Sequence, residues 1–328
     1  MSSSLSFTLA LLGVATSSAN AARSCAELQS EGKTESGVYT IDDGLNSAKS
    51  VFCDLRTGGG GWTLVQQRVY DDADFDADLN VNYANYRSGF GSPAGSHWAG
   101  LDTLHQLTKD APQLLKIELF GCDGENMFAV YDGFQVGDPA SSYRLTTGRF
   151  LCGNGGDSFS EHDQVQFSAP DHDVDTCQGA NANLHCGNFN DGGFWFTCCM
   201  GTNWNGKYPP LPNCELAANS VGAVWLQWKG IFYGARGTKI MMRPRDFDSG
   251  PSLFTLTGVG KGFTEDGDTT KNVTGAASPL DCALECQRLS SSCCSAFSHN
   301  SDSAACTLHL QPNGPLAPDS RHNSWRKL

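Results

Sequence analysis

Residues 57–68 read TGGGGWTLVQQR. From Trp62 to Val69 the side chains alternate and are rich in aromatic and β-branched types, the pattern of a β-strand. The same pattern returns at Leu115 to Phe120, Met127 to Val136 and Tyr143 to Leu151, with short turns holding Gly or Asp between the segments. Connections this short favour antiparallel neighbours, because a parallel pair needs a long crossover. Near Trp98 to Leu107 the apolar residues Trp98, Leu101, Leu104 and Leu107 step by three, which predicts a short helix. The expected class is α+β with a central antiparallel sheet. From Gly153 to Gly222 the chain is dominated by Gly, Asn, Asp and Pro, a loop-rich region of the kind that carries function and needs staples to stay ordered.

The whole chain has 328 residues, 37 glycines, 14 cysteines and a formal charge of −13. The length suggests about two domains. A net-acidic chain with no basic run is poorly suited to gripping phosphate backbones, so nucleic acid is set aside as a partner. Leu5 to Val14 is a short apolar run followed by Ala19-Asn20-Ala21, the form of an export signal over residues 1–21. A membrane anchor would need about 18 apolar residues, more than this run supplies. A secreted, extracellular location is therefore expected, and most cysteines should be paired there. Zinc-type sites would need two close cysteine pairs of the CxxC kind; the only close spacings are Cys198-Cys199, Cys282/Cys286 and Cys293-Cys294.

Three stretches differ in character. Residues 22–245 form the Gly-, Trp- and Tyr-rich body, 246–261 read as a linker with Gly250-Pro251, and 262–328 hold five cysteines in a short span. No repeat, heptad or Gly-x-y tract is visible. Multivalency, if present, is expected from domain pairing, from an odd cysteine or from the tail.

The body resembles the fibrinogen C-terminal domain, a family that includes ficolins, tachylectins and angiopoietins. The resemblance is carried by Cys25, SGVYTI at 36–41, VFCDL at 51–55, TGGGGWTLVQQR, YRSGFG at 86–91, HWAGLDTLHQLT at 97–108 and YDGFQV at 131–136. It continues through DHDVD at 171–175, GGFWFTCC at 192–199, NWNGKY at 203–208 and GAVWLQWKGIFYGARGTKIMMRP at 222–244. It implies bridges Cys25–Cys53 and Cys186–Cys199, the second across a GGFWF strand. Cys122, Cys152, Cys177, Cys198 and Cys214 are additions to the family pattern. Cys122 and Cys152 end neighbouring predicted strands and are one candidate pair; the pairing of all five stays open, except that adjacent Cys198 and Cys199 should not bond each other.

The tail is similar to a PAN/apple domain, a small disulfide-stapled α+β unit. LDCALECQRL sets Cys282 and Cys286 on one side of a helix, and CSAF at 294–297, CTL at 306–308 and Trp325 follow. The resemblance implies Cys282–Cys306 and Cys286–Cys294 and leaves Cys293 over. Five cysteines leave an odd one for another domain or another chain. Asn272-Val273-Thr274 fits the N-glycosylation pattern, with Asn272 the acceptor.

Asp171, Asp173 and Asp175 alternate in DHDVDTCQG; three carboxylates this close repel unless solvated or neutralised, and hard oxygen ligands suit calcium. Counting from Asp171 puts Thr176 at position six and Ala182 at position twelve, which excludes an EF-hand. The family resemblance implies calcium held by the side chains of Asp173 and Asp175 and the carbonyls of Cys177 and Gly179. It also implies an acetyl-binding pocket beside this loop, walled by aromatic rings and by a His after the second cysteine of the loop bridge. A methyl on rings and a backbone N–H on the carbonyl oxygen would hold such a group. Here Met200 follows Cys199, and Asn219-Ser220-Val221 replaces a common Tyr-Ala-Asp, so the pocket chemistry has changed. Cys199, Met200, Asn219 and Ser220 mark the expected ligand site, whereas Phe194, Trp195, Phe196, Trp204, Tyr208 and Tyr233 are read mostly as core.

No HExxH, GxSxG, phosphate loop or Cys-His signature is present, and the eight histidines are scattered, so no enzyme is expected. The leading expectation is a secreted, calcium-dependent, lectin-like protein that binds glycans or glycoproteins, with innate immunity as its expected setting. The alternative is an extracellular matrix or receptor-ligand protein without sugar binding, since one fold serves both.

Overall fold

The computed structural model describes residues 21–45, 48–69, 79–177, 183–207, 209, 212–216 and 222–247, together with the backbone of six strands in the tail. The chain enters through α1 (Cys25–Ser30), whose N-cap Ser24 accepts from Glu27 N and whose buried face carries Cys25, Ala26 and Leu28. The Cys25–Cys53 bridge ties this helix to β2 (Ala48–Asp54), which pairs with β1 (Gly37–Asp42). That family-implied bridge is present as expected.

β3 (Trp62–Arg68) follows, and its polar residues are not solvent-facing. Gln66 is buried, donates to Trp204 O at 2.9 Å and accepts from Thr238 Oγ1 at 2.7 Å. The four glycines before it have a specific partner. The buried Arg243 guanidinium lies 4.3 Å over the Trp62 ring and donates to Gly58 O and Gly60 O. Gly60 has φ of +82°, and a Cβ there would meet the Leu55 carbonyl at 2.5 Å. Only glycine fits such a turn without strain. Burial lowers the Arg243 pKa to about 10.

Next come α2 (Tyr83–Ser88), the short strands β4 (Phe90–Gly91) and β5 (His97–Trp98), and α3 (Leu101–Thr108). Trp98 therefore belongs to a strand that pairs with β3, and the helix predicted from Trp98 starts at Leu101. Gly100, at φ +99°, separates them, and a Cβ on it would strike Arg87 O and Gly89 N at 2.7 Å. His105 sits half-buried on α3 with Nδ1 3.0 Å from Val136 O.

β6 (Gln113–Phe120) and β7 (Asn126–Val136) form a hairpin. The predicted strand from Tyr143 to Leu151 is two strands, β8 (Leu145–Thr146) and β9 (Arg149–Gly153), interrupted at Gly148 with φ +76°. The loop-rich half holds α4 (Cys186–Phe189), β10 (Thr202–Asn203), β11 (Val224–Trp225) and α5 (Leu226–Lys229). β12 (Gly237–Pro244) returns to the middle of the sheet, whose order runs β1-β2-β3-β12-β6-β7-β8, with β9 also on β7. All the pairings are antiparallel, as the short connections implied. Between sheet and loops lies one aromatic core of Tyr86, Trp98, Phe159, Phe167, Phe194, Trp195, Phe196, Trp204 and Trp225.

In the tail, β13 (Gly262–Phe263) pairs β17 (Pro318–Asp319), and β14 (Thr270–Thr274), β16 (Ala305–His309), β15 (Ala296–Asn300) and β18 (Asn323–Arg326) form an antiparallel sheet in that order. Asn272 falls in β14, Cys306 in β16 and Trp325 in β18. Residues 1–20 of the export signal expected over 1–21, most of the expected linker and the positions of Cys282, Cys286, Cys293 and Cys294 lie outside the described residues, as do the expected tail bridges.

Candidate functional site: the aspartate loop and its two disulfides

The loop carrying Asp171, Asp173 and Asp175 leaves the core at Ser168, which bridges to Phe194. Ala169 and His172 exchange backbone bonds of 2.9 Å, closing a tight turn around Pro170. The three carboxylates then take different parts. Asp171 Oδ1 accepts from Tyr83 N at 2.6 Å, while His172 stacks on the Tyr83 ring at 4.0 Å, so this end is fixed to α2. Asp175 Oδ1 accepts from Cys177 N at 2.9 Å and Oδ2 accepts from Cys186 N at 2.8 Å, which joins the loop to the start of α4. Asp173 is exposed and accepts a longer bond of 3.4 Å from Asp175 N.

Two neighbouring bridges hold the far side. Cys186 pairs with Cys199 as expected, and Cys177 pairs with Cys198. The Sγ atoms of Cys177 and Cys186 lie 3.5 Å apart. The Cys198–Cys199 peptide bond is cis. Residues 192–196 do not form a ladder strand; Phe194 makes only the isolated bridge to Ser168. Side-chain amides substitute for the missing ladder: Asn205 Nδ2 donates to Gly193 O at 3.0 Å and Asn190 Nδ2 to Cys186 O at 2.9 Å. Cys122 bonds Cys214, not the candidate partner Cys152. The β6–β7 turn carries Cys122 toward Tyr233, whose hydroxyl accepts from Cys122 N at 2.9 Å, and so toward the 212–216 loop.

Among the described residues, one trio of ligand-type atoms lies close enough to share a metal, the Sγ atoms of Cys177, Cys186 and Cys199. All three are consumed in disulfides and offer no thiolate. The donors that remain are hard oxygens. An ionised carboxylate has about four lone-pair sites, so Asp175 keeps acceptor capacity after taking two N–H bonds, and exposed Asp173 keeps more. That set fits a calcium-like cation. Gly179 lies outside the described residues, as do Asn219, Ser220 and Tyr208.

Cys199 and Met200 are half-buried and pack on the aromatic core. Phe194, Trp195, Phe196 and Trp204 are at most 1% exposed, and therefore build the core as expected. Behind Met200 stands a residue the sequence did not single out. His162 is fully buried; its Nδ1 is 2.7 Å from Trp195 O, and its Nε2 is 3.3 Å from both Gly201 N and Thr202 N. Two N–H donors at Nε2 make that nitrogen the acceptor, so the proton is on Nδ1 and the ring is neutral. No motif marked His162, because its role is set by backbone groups remote in sequence. Gly201 has a similar constraint, since a Cβ there would meet Glu161 Oε1 at 1.9 Å. Burial, and then the Asp157 charge, raise the Glu161 pKa.

Burial lowers the His162 pKa to about 4 and does the same to His97, where Lys49 adds to the effect. An unfolded histidine titrates near 6.5. Between about 6.5 and 4 the unfolded chain binds protons that the native one refuses, so stability is full above that window and falls as pH drops through it. Each group contributes up to roughly 3 kcal/mol to that loss. Melting temperatures at pH 7, 5.5 and 4 should fall progressively, and His162→Gln, though less stable at pH 7, should flatten the decline; an unchanged slope would contradict this assignment.

A family model described as the C-terminal globular domain of fibrinogen beta and gamma chains matches residues 21–245, and a PAN domain model matches 259–324. Bovine angiopoietin-4 is 37% identical over 221 residues, which is 67% of this chain and 42% of that protein. Human angiopoietin-related protein 7 is 34% identical over 237 residues, 71% of this chain and 65% of its own length. The chain thus spans between two fifths and two thirds of these relatives. Among solved structures, the fibrinogen-like globe domain of human ANGPTL6 is 32% identical with a TM-score of 0.61, covering 68% of this chain and 95% of that one. The corresponding domain of human ANGPTL2 is 29% identical with a TM-score of 0.62, covering 68% and 99%.

Proposed function

The chain belongs to the family of the fibrinogen beta and gamma C-terminal globular domains, with a PAN domain after it, and on that premise we propose that it is a secreted receptor-ligand type protein that recognises another extracellular protein. The observation that carries this reading is the wall behind the aspartate loop. Phe194, Trp195, Phe196 and Trp204 are turned into the core, and the position after Cys199 presents Met200. Stacking rings and a polar handle, the usual means of holding a sugar or an acetyl group, are not offered by these residues. The similarity to angiopoietin-4 and angiopoietin-related protein 7 supports the same direction and moves the balance away from the lectin-like expectation and its innate-immunity role. It also supports a non-enzymatic role.

Calcium remains part of the proposal. Asp173 and Asp175 would supply carboxylate oxygens, with the carbonyls of Cys177 and Gly179, and the ion would fix the loop between its two bridges. Isothermal titration of the full chain should detect binding at millimolar calcium or tighter, and Asp173→Asn should weaken it at least tenfold; no heat at millimolar calcium would remove the site. Glycosylation at Asn272, in an edge position of the tail sheet, belongs to the same extracellular picture.

A glycan array probed with the full chain, with and without chelator, should stay silent, while a panel of receptor ectodomains should yield a binder. Chelator-sensitive glycan binding, centred on Met200 and its neighbours, would reverse the order of the two readings.

A further inference from the structure

A groove of about 430 Å³ lies between the end of α3 and the turn that joins β7 to β8, and it shares no lining residue with the aspartate loop. Its two walls are tied together. Thr108 Oγ1 accepts from Val136 N at 3.0 Å, and Gln135 Nε2 donates to Thr108 O at 3.2 Å. His105 Nδ1 lies 3.0 Å from Val136 O, and since a carbonyl only accepts, Nδ1 carries the proton of that bond. Two exposed cations line the groove, Lys109 at the end of α3 and Arg144 from the turn. Cations elsewhere in this acidic domain are commonly neutralised by a neighbour: Arg56 by Glu35, Lys207 by Asp191, Lys229 by Asp123 and Arg245 by Asp132. Among the described residues, neither Lys109 nor Arg144 has a carboxylate partner.

Arg144 is held in place without being used up. Its Nη1 donates to Gln164 O, while Nε and Nη2 have no partner among the described residues. That open edge is a fork that fits both oxygens of one carboxylate. The backbone on either side is strained. Five described residues other than glycine have positive φ, and three of them border this groove: Ser142 and Tyr143 at +50° and Gln164 at +62°. Such conformations are disfavoured for L-residues and gather at ligand clamps. Tyr143 is fully buried, its carbonyl accepts from Trp195 Nε1 at 2.8 Å and its hydroxyl from Arg87 Nε at 2.8 Å, so the core fixes the residue next to Arg144. Gln164 is exposed, and its carbonyl is the one that takes Arg144.

We propose that this groove docks an acidic segment of a partner protein, with one partner carboxylate on the Nε–Nη2 edge of Arg144 and another on Lys109. Gln135 Oε1, Gln164 Oε1 and Asp138 Oδ2 are open acceptors, among the described residues, for backbone N–H groups of that segment. The mixture of signs favours a peptide over a polyanion. Asp138 and a formal charge of −13 repel a dense run of sulfates, whereas carboxylates interleaved with N–H donors meet a complement for each. The proposal rests on the reading of this chain as a ligand for an extracellular protein, and gives that protein an acidic docking segment.

The test uses the full chain and two acetylated, amidated hexapeptides, Ala-Glu-Ala-Glu-Ala-Gly and its glutamine counterpart. Calorimetric titration at low salt should give the acidic peptide a Kd of about 1 mM or tighter, with the glutamine peptide at least about tenfold weaker. High salt should weaken the acidic peptide. Arg144→Gln should weaken it about tenfold and Lys109→Gln about threefold, with Arg144→Lys between the two because it keeps the charge and loses the fork. Lys33→Gln, at an exposed cation outside the groove, should change nothing. Each variant replaces an exposed side chain, and a melting curve that matches the parent's shows the fold intact. No binding of the acidic peptide, equal affinity for the glutamine peptide, or full affinity in both Arg144→Gln and Lys109→Gln overturns the proposal. So does a heparin fragment that binds through Arg144 where the peptide does not. The titration needs no receptor: peptide binding beside a silent receptor panel would sink the wider reading and leave the groove standing, and the converse would sink the groove alone.

Discussion

Trp195→Ala is expected to destabilise the fibrinogen-like domain by about 3–5 kcal/mol, the range for deleting a buried Trp or Phe ring. The residue is fully buried and central to both halves of the core. Its ring lies within 6.4 Å, centroid to centroid, of Trp98, Phe167, Phe194 and Trp204, mostly edge to face. Its Nε1–H donates to Tyr143 O at 2.8 Å, and its own carbonyl accepts from His162. Alanine would thus open a cavity and leave the Tyr143 carbonyl unsatisfied. Trp195→Phe keeps much of the volume and loses chiefly the hydrogen bond, so about 1–2 kcal/mol is expected. Denaturant unfolding of the three proteins checks the order; an alanine variant within 1 kcal/mol of the parent (about one buried methylene) would show that the core collapses around the gap.

The second large effect is on Cys122–Cys214. The bridge closes a separation of 92 residues and fastens the 212–216 loop to the β6–β7 turn. Beyond it, that loop is held by a few backbone bonds, including Leu216 N to Phe232 O and Gly234 N to Cys214 O. Chain entropy for a loop of this size gives about 4–5 kcal/mol. The paired variant Cys122→Ala/Cys214→Ala should therefore melt on the order of 10 °C lower than the parent, given about 2–4 °C per kcal/mol for a domain this long. Calorimetry under oxidising conditions is the measurement, and a shift below about 3 °C, which corresponds to roughly 1 kcal/mol, would mean that the loop is fixed without the bond.

How much of this was legible follows from what kind of order each part uses. β3, β6 and β7 are written in local alternation, and the sequence reading found them to within one or two residues. Cys25–Cys53 and Cys186–Cys199 followed from a family pattern. The errors sit where local pattern and long-range contact disagree. Trp98 keeps helical spacing with Leu101 and Leu104, yet Gly100 turns the chain and gives Trp98 to the sheet. Cys122 and Cys152 end strands that look adjacent in sequence, but β7 lies between β6 and β9, and Tyr233 and the 212–216 loop draw Cys122 elsewhere. The candidate site was half legible. The alternating aspartates named the loop, while their division of labour, with Asp171 and Asp175 fastening backbone and Asp173 left open, depends on Tyr83 and Cys186. His162 was invisible for the same reason: its three partners are 33 to 40 residues away.

The place of β12 has a consequence for biosynthesis. This strand is the last of the fibrinogen-like domain to be synthesised, and it lies between β3 and β6, hydrogen-bonded to both. Until it emerges, the two inner strands beside it are bare edges, open to strangers. At about 5–20 residues per second, roughly 170 residues separate the end of β3 from the start of β12, a wait of about 10–30 s. The nascent chain therefore cannot complete this sheet as it appears, and these edges stay open until its final strand slides home.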